Sequence, residues 1–355
     1  MRLYLLLISS LFLLSNCATP KNTSSKNVLP EILNVYKDSV NAKKFGIAAL
    51  IKENDKTDTH AIGWAGDSIV MTPDKIFNIG SLTKTFTAVL VMQEIERNNI
   101  ALTDTIANFF PLYENKNVDP SITIEQLLRH ESGLAEVLIN KKVDRAVSYP
   151  FDDYNYSFLY NKIPEPVSQP GVAYKYCNTN YILLGYILEL INDKPYQDLL
   201  KERIFDAVNM QNSYAYFSKS FDNIAHPMFN GEDYIDYVFH HYYKNYAFSS
   251  GGISSTLYDL EKFFDHLYNK ETFLKRETFS MMIDTEGEYG LGIEKYNLNL
   301  DGTSIIAYGH SGDNFSYKVR NFYIPEKERL IIIFSNQYKD PYTNKIAGQI
   351  LRKLK

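Results

Sequence analysis

The stretch Ile76-Phe77-Asn78-Ile79-Gly80-Ser81-Leu82-Thr83-Lys84 decides how this chain of 355 residues folds. Strand-like apolar residues precede the glycine, and from Thr85 apolar residues such as Phe86 and Leu90 recur at helical spacing. This period of about 3.6 residues predicts a helix with one buried face. Ser81 is therefore predicted to lie at the start of a long helix.

Ser81 and Lys84 form a pair that can carry nucleophilic catalysis, because residues three apart share one helix face. A serine hydroxyl is a poor nucleophile until a base removes its proton. A lysine can be that base if burial and the positive potential of a helix N-terminus lower its pKa. The free N–H groups of that terminus can also bind an oxyanion. A surface lysine in a first turn would give the same pattern, although only Ser81 among the serines has a lysine three residues later.

The second candidate element is Tyr176-Cys177-Asn178. A tyrosine hydroxyl can relay a proton to the leaving group, and an asparagine amide can orient the substrate and the lysine. Tyr-x-Asn also occurs at three other places, so the bare pattern is not specific. Its position selects this copy, because a turn at Gln169-Pro170-Gly171 precedes it and a predicted buried helix at 180–190 follows it.

The third candidate element is His310-Ser311-Gly312, which a predicted strand follows. A strand edge built of small residues lets a substrate backbone pair with it, as in β-augmentation. His310 could place a positive charge or a hydrogen-bonding group beside the nucleophile. Taken alone, a histidine without a catalytic part in a sheet edge is the better interpretation of this element.

Taken together, Ser81-x-x-Lys84, Tyr176-x-Asn178 and His310-x-Gly312 resemble the three motifs of the serine β-lactamase and penicillin-binding-protein superfamily. The spacings of 95 and 134 residues between their first members resemble the branch of class C β-lactamases and D-Ala-D-Ala carboxypeptidases. The resemblance covers the chain from residue 45 to the end, and it is supported by the stretches 130–134, 181–185, 249–256 and 289–292.

The resemblance implies a role for each motif residue. Ser81 is expected to form an acyl-enzyme, while Lys84 and Tyr176 share the duties of general base and general acid. The backbone N–H groups of Ser81 and Asp313 are expected to form the oxyanion hole. Neither a metal nor a cofactor is expected. The residues expected to contact the substrate are Asn178, His310, Ser311, Gly312 and Asp313.

One residue departs from the family pattern, because many β-lactamases have a lysine where this chain has His310. An unperturbed histidine is mostly uncharged at neutral pH. This weakens the expectation of a site for the carboxylate of a β-lactam or of D-Ala. Lys318 and Arg320 lie further along the predicted strand and could supply charge, but we interpret them as part of a solvated strand face.

The order of elements predicts an α+β fold. Apolar stretches around a turn at Glu53-Asn54-Asp55-Lys56 predict a β-hairpin, and strand patterns return after residue 251. We expect a sheet from about 31–80 and 247–355, with a helical subdomain inserted at about 99–246. The resemblance implies the same β-lactamase/transpeptidase-like architecture, an antiparallel sheet flanked by helices, so residues 31–355 should form one hydrolase domain.

The first 17 residues predict a lipoprotein signal peptide. Arg2 gives a positive start, and residues 3–14 form an apolar core that is too short to span a bilayer well. Leu14-Ser15-Asn16-Cys17 resembles a bacterial lipobox, whose cysteine carries a lipid anchor. Ordinary secretion with cleavage nearby is the alternative. The polar residues 18–30 predict a flexible tether, so we expect an exported, membrane-anchored protein of the bacterial cell envelope.

Composition and charge exclude some functions. Hydrophobic residues make up 45% of the chain and charged residues 22%, which suits a globular core. The net charge of −5 comes without long basic runs, which argues against nucleic acid as a partner. No required protein partner is evident. Cys17 and Cys177 are the only cysteines, so the mature chain is not a disulfide scaffold.

The leading hypothesis is a serine hydrolase that cleaves an amide or an ester through an acyl-enzyme. The substrate would be a peptidoglycan stem peptide, a β-lactam, or a small ester or amide. A small-ester esterase on the same fold and a non-catalytic envelope-binding protein are the alternatives. A binding protein need not keep serine, lysine and tyrosine together, and no Gly-x-Ser-x-Gly surrounds Ser81, which disfavours a nucleophile-elbow esterase.

Overall fold

A computed structural model describes residues 28–110, 115–137, 160–216, 218–237 and 247–355 of the chain. The predicted signal peptide and Cys17 lie outside these residues. Within them, the helices fall short of the length and apolar character that a membrane crossing requires.

The described residues form helices and strands that we number in chain order. The helices are α1 (Val28–Leu33), α2 (Lys37–Ala42), α3 (Thr83–Glu96), α4 (Ile124–Leu128), α5 (Asn178–Asn192), α6 (Tyr196–Leu200), α7 (Phe248–Gly251), α8 (Leu257–Tyr268), α9 (Arg276–Ile283) and α10 (Thr343–Lys353). The strands are β1 (Gly46–Glu53), β2 (Lys56–Gly66), β3 (Ile69–Val70), β4 (Phe77–Asn78), β5 (Met228–Phe229), β6 (Glu232–Asp233), β7 (Ser254–Ser255), β8 (Glu294–Leu300), β9 (Thr303–Gly309), β10 (Gly312–Asn314), β11 (Tyr317–Ile324) and β12 (Arg329–Ser335).

An antiparallel sheet of eight strands dominates the described part of the chain. Its order is β3-β2-β1-β12-β11-β9-β8, and β10 pairs with β11. The predicted hairpin is β1–β2, and β1 also pairs with β12, which places Ile47 opposite Ser335. The described residues between 99 and 246 add helices and the small β5–β6 pair but no strand of this sheet. The predicted α+β fold, an antiparallel sheet flanked by helices, is confirmed.

Both faces of the sheet are covered, because strand β1 alternates between two cores. Ala48 and Leu50 pack into one core with residues of α3 and α8. Ile47 and Ile51 pack into a second core with residues of α1 and α10. A strand that is buried on both faces appears in sequence as a continuous apolar run, as residues 46–51 do.

Helix α1 corrects the expected end of the tether. Val28 and Leu29 are buried in the second core, so residues 28–30 belong to the folded part and not to a tether that reaches residue 30. Pro30 is compatible with this helix, because the N–H groups of a first turn have no intrahelical partner to lose. Ile32 and Leu33 are buried with them, so the apolar side of α1 attaches it to the second core.

Helix α5 sets the geometry of the predicted site. It is the helix expected over 180–190, and its residues 179–188 are buried. It packs against α3, α4 and α7. Its first residue, Asn178 of the second candidate motif, lies beside Lys84 of the first motif, with 2.7 Å between Oδ1 and Nζ.

Candidate active site

Ser81 lies in a 3-10 turn, Gly80–Leu82, that leads directly into α3. Gly80 has a φ of +53°, and a Cβ atom on it would lie 3.0 Å from the backbone nitrogen of Asp313. Asn78 holds the approach to this turn: its Oδ1 accepts from Gly80 N at 2.9 Å, and its Nδ2 donates to two backbone carbonyls ahead of β7. The turn therefore brings Gly80, the neighbour of Ser81, close to the backbone of Asp313, which suits an oxyanion hole between Ser81 and Asp313.

Lys84 is fully buried in the first turn of α3 and is not a surface residue. Its Nζ donates to Ser81 Oγ at 3.2 Å, to Asn178 Oδ1 at 2.7 Å and to the carbonyl of Ser250 at 2.7 Å. Burial lowers the pKa of Lys84 to about 7, although the carboxylate of Glu136 acts in the opposite direction. About half of the Lys84 side chains are then neutral at pH 7, and a neutral amine can accept the proton of Ser81.

Asn178 connects Lys84 to a carboxylate. It is the first residue of α5, and its backbone N and its Nδ2 donate to Glu136 Oε2 at 2.8 and 2.9 Å. Since the amide nitrogen faces a carboxylate, which can only accept, the amide oxygen must face Lys84. Glu136 thereby fixes the orientation of the amide. A carboxylate is also favoured at the N-terminus of a helix such as α5.

Tyr176 completes the cluster around Ser81. The Nζ of Lys84 lies 4.8 Å from the centre of its ring. Although 37% of the residue is exposed, burial of the hydroxyl raises the pKa of Tyr176 well above its usual value, which its interaction with Ser81 only partly offsets. The phenol therefore stays protonated at neutral pH, and it can exchange a proton with Ser81 or with a leaving group.

His310 follows strand β9 and is fully buried. Its Nδ1 lies 2.6 Å from the carbonyl oxygen of Ser311, so Nδ1 carries the hydrogen and Nε2 accepts from the Tyr289 hydroxyl at 3.0 Å. Burial lowers the pKa of His310, and the opposing charge of Glu294 does not reverse this. Of the two expectations for His310, the structure supports a hydrogen-bonding group and not a positive charge. Its ring centre is 6.3 Å from that of Tyr176.

The side chains of Ser311 and Asp313, in and next to the third motif, contact neighbouring charged residues. Ser311 donates from its N–H and its hydroxyl to the half-buried carboxylate of Glu294, both at 2.9 Å. The carboxylate of Asp313 pairs with Arg320 at 3.2 Å, so only the backbone of Asp313 approaches the turn of Ser81. A Cβ atom on Gly312 would lie 2.0 Å from a backbone carbonyl just before that turn. Only glycine allows this close approach.

Several residues that hold the cluster do not stand out in the sequence. His130, Ser250 and Tyr289 fall in stretches that resemble the family, which is the one signal that points to them. Glu136 and Glu294 belong to no motif. An isolated acidic residue has no distinguishing pattern until the fold places it beside its partners.

Other candidate chemistry is limited in the part of the chain that the structure describes. No group of three or more His, Cys, Asp or Glu side chains is arranged there to hold a metal ion. Cys177 is buried beside the cluster, and burial raises the pKa of its thiol to about 11. The thiol is therefore protonated and unreactive at neutral pH.

A family model described as Beta-lactamase matches residues 38–354. The chain belongs to the β-lactamase family. The predicted membership of the serine β-lactamase and penicillin-binding-protein superfamily is thus confirmed. This β-lactamase-family chain is 26% identical over 160 residues to penicillin-binding protein 4 of Amycolatopsis lactamdurans, which covers 42% of this chain and 38% of that protein. It is 23% identical over 308 residues to a D-aminopeptidase of Cereibacter sphaeroides, which covers 82% and 56%.

The β-lactamase-family chain therefore matches only part of the length of these two relatives. Among solved structures, the D-stereospecific amidohydrolase from Streptomyces sp. superposes with a TM-score of 0.74 at 20% identity. The superposition covers 89% of this chain and 97% of that one. At this identity, the likeness shows a common fold.

Proposed function

We propose that this protein is a serine hydrolase that cleaves amide bonds through an acyl-enzyme on Ser81. The observation that carries the proposal is the state of Lys84, which is fully buried, has a pKa of about 7 and lies 3.2 Å from Ser81 Oγ. Burying a lysine costs stability, and strongly shifted pKa values cluster at functional sites. This favours an enzyme over an envelope-binding protein.

In the proposed reaction, neutral Lys84 takes the hydroxyl proton of Ser81 while Oγ bonds to the substrate carbonyl carbon. The backbone N–H groups of Ser81 and Asp313 hold the resulting oxyanion. The proton passes through Tyr176 to the leaving amine as the C–N bond breaks. A water molecule then attacks the acyl carbon and gives a proton to the same groups. That proton returns to Ser81 Oγ as the ester bond breaks.

We expect the substrate to be an amide without a required carboxylate next to the scissile bond. His310 is neutral at pH 7, Arg320 is paired with Asp313, and Lys318 donates to a backbone carbonyl at 3.2 Å. None of these side chains is a free cation that could hold the carboxylate of a penicillin. The names of two similar proteins, D-aminopeptidase and D-stereospecific amidohydrolase, favour D-amino acid amides as the class to test.

Residues 18–355 can be assayed with D-alanine p-nitroanilide, benzylpenicillin and p-nitrophenyl acetate, each beside Ser81→Ala. The proposal expects Ser81-dependent release of nitroaniline and an acyl adduct on Ser81 in intact-protein mass spectra. Turnover of the ester alone would point to an esterase. A stable penicillin adduct would point to a penicillin-binding enzyme. If no substrate showed Ser81-dependent chemistry, the catalytic proposal would be wrong.

We also propose that the protein is exported and held at a membrane of the cell envelope by a lipid on Cys17. The support is in the sequence, where a positive residue, an apolar core and Leu-Ser-Asn-Cys follow one another. Expression in a bacterial host followed by membrane fractionation tests this proposal. The wild-type chain should sediment with membranes, and Cys17→Ser should not. Equal distribution of both chains would refute lipid anchoring.

A further inference from the structure

Tyr176 occupies an unusual place for a residue that must be held accurately. Residues 171–176 are exposed, and residues 173–177 form no helix or strand. Proton transfer nevertheless requires the hydroxyl to stay within hydrogen-bonding reach of its partner. The segment around Tyr176 therefore needs a support outside itself.

His130 supplies that support from both sides of Tyr176. The N–H of Lys175 donates to the carbonyl of His130 at 2.8 Å, and the N–H of Cys177 donates to its ring Nδ1 at 3.2 Å. The imidazole also lies against the phenol, with ring centres 4.3 Å apart. We propose that His130 is a positioning residue for Tyr176, a role that rests on the proposed function of that tyrosine.

His130 is itself held rigidly. It follows helix α4, has a φ of +59° and is fully buried. Its Nδ1 lies 3.1 Å from Asn180 Nδ2, and the Oδ1 of that amide accepts from Ser132 Oγ at 2.6 Å. Asn180 belongs to α5, so His130 ties the irregular segment to the helix that carries Asn178. Tyr176 and Asn178, which both lie beside Lys84, are thus held by the same group of hydrogen bonds.

The bonding pattern also determines the protonation state of His130. Its Nδ1 faces two N–H donors and must be the bare nitrogen, so Nε2 carries the hydrogen. Nε2 has no hydrogen-bond partner among the described residues, and the ring lies among Tyr181 and Tyr289 at centre distances of 5.1 and 4.8 Å. Burial and the nearby Lys84 and His310 keep the pKa of His130 well below its usual value. His130 therefore acts as a neutral support and not as a second base.

Two substitutions distinguish the effect of the hydrogen bond that the His130 ring accepts from the effect of the space that the ring fills. His130→Asn keeps an acceptor near the position of Nδ1 and tolerates a positive φ. His130→Leu keeps an apolar side chain but removes the acceptor. Ile124→Val is the matched control, because it trims a buried residue of α4 and leaves the bonds to Lys175 and Cys177 intact. Circular dichroism verifies that each variant is folded.

With D-alanine p-nitroanilide, His130→Leu should lower kcat about 10- to 100-fold while KM changes less than about twofold. His130→Asn and Ile124→Val should stay within about threefold of the wild type. In a Tyr176→Phe background, His130→Leu should lower kcat little further, because His130 acts through the Tyr176 hydroxyl, which this background already lacks. A full additional loss in that background would mean a general structural role and overturn the proposal.

Hydrogen exchange of the peptide that covers residues 171–177 tests the same idea without turnover. His130→Leu should accelerate exchange in this peptide, and His130→Asn and Ile124→Val should not. If the wild type showed no Ser81-dependent reaction, the proposed function would fail. The hydrogen-exchange rates of the variants would then be the test of whether His130 positions the segment around Tyr176. Unchanged exchange in His130→Leu would overturn the positioning role.

Discussion

The rate at which Ser81 is acylated should depend on pH through Lys84. Burial lowers the pKa of Lys84 to about 7, and only the neutral amine can accept the hydroxyl proton. The neutral fraction is then about one tenth at pH 6 and about nine tenths at pH 8, so kcat/KM should rise about tenfold between these values. Activity is lost as the pH falls through the pKa of the lysine. Tyr176 stays protonated over this range, because burial raises its pKa.

Glu136→Gln provides a matched perturbation of the same titration. The carboxylate of Glu136 raises the pKa of Lys84, while a glutamine keeps an oxygen that can accept from Asn178. Removing the charge should move the midpoint of the kcat/KM curve to lower pH by about one pH unit. The assay is nitroaniline release from D-alanine p-nitroanilide between about pH 5.5 and pH 9, with Ser81→Ala as the background.

Two results would refute this reasoning. A kcat/KM that stays flat between about pH 6 and pH 8 would mean that Lys84 does not titrate as the base. A midpoint that moves to higher pH in Glu136→Gln would mean that the carboxylate does not stabilise the charged lysine. Either result would mean that a group other than Lys84 is the base.

Three further changes test other parts of the site. Tyr176→Phe should lower kcat about 100-fold or more in steady-state assays with the same anilide, and an unchanged kcat would remove Tyr176 from proton transfer. Gly312→Ala should lower the melting temperature by several degrees in calorimetry, because the new Cβ would lie 2.0 Å from a backbone carbonyl oxygen. An unchanged melting temperature would show that the strand can shift to make room for the methyl group. Burial would raise the pKa of Glu294, but the interaction with His310 and the hydrogen bonds from Tyr296 and Ser311 outweigh burial and lower this pKa. The ionised carboxylate therefore stabilises the folded protein above the ordinary carboxyl pKa, and this stabilisation is lost as the pH falls. Glu294→Gln should therefore reduce the melting temperature at pH 7, and this deficit should shrink only as the pH falls below 4.5 and through the lowered pKa of Glu294, whereas an equal deficit at every pH would contradict an ionised carboxylate.

The first motif was predictable because its chemistry is local. Ser81 and Lys84 lie three residues apart, in the 3-10 turn and the first turn of α3 that follows it, so a helical period places both side chains on one face. The same spacing also fits a surface lysine, so the burial of Lys84 was not predicted. The structure adds the depth of that burial, and with it a pKa near 7 that no spacing rule supplies.

The sequence could not predict the supports of the site, because they depend on tertiary placement. Glu136 reaches Asn178 across 42 residues, and Glu294 reaches Ser311 across 17. The charge of His310 also depends on its full burial, which a strand edge of small residues did not indicate. The misplaced end of the tether has the same cause, since only the second core shows why Val28 and Leu29 are ordered.

The pairing of β1 with β12 joins the two ends of the folded chain. Glu53 and Arg329, at one end of this pair, are 276 residues apart. Closing so long a loop costs chain entropy and makes folding slow, and the sheet cannot be completed until almost the whole chain is available. The groups around Ser81 also come from distant segments, because Gly80 lies beside Asp313, 233 residues further along the chain. Under the proposed mechanism, a growing or truncated chain that lacks Asp313 would therefore carry an unactivated Ser81.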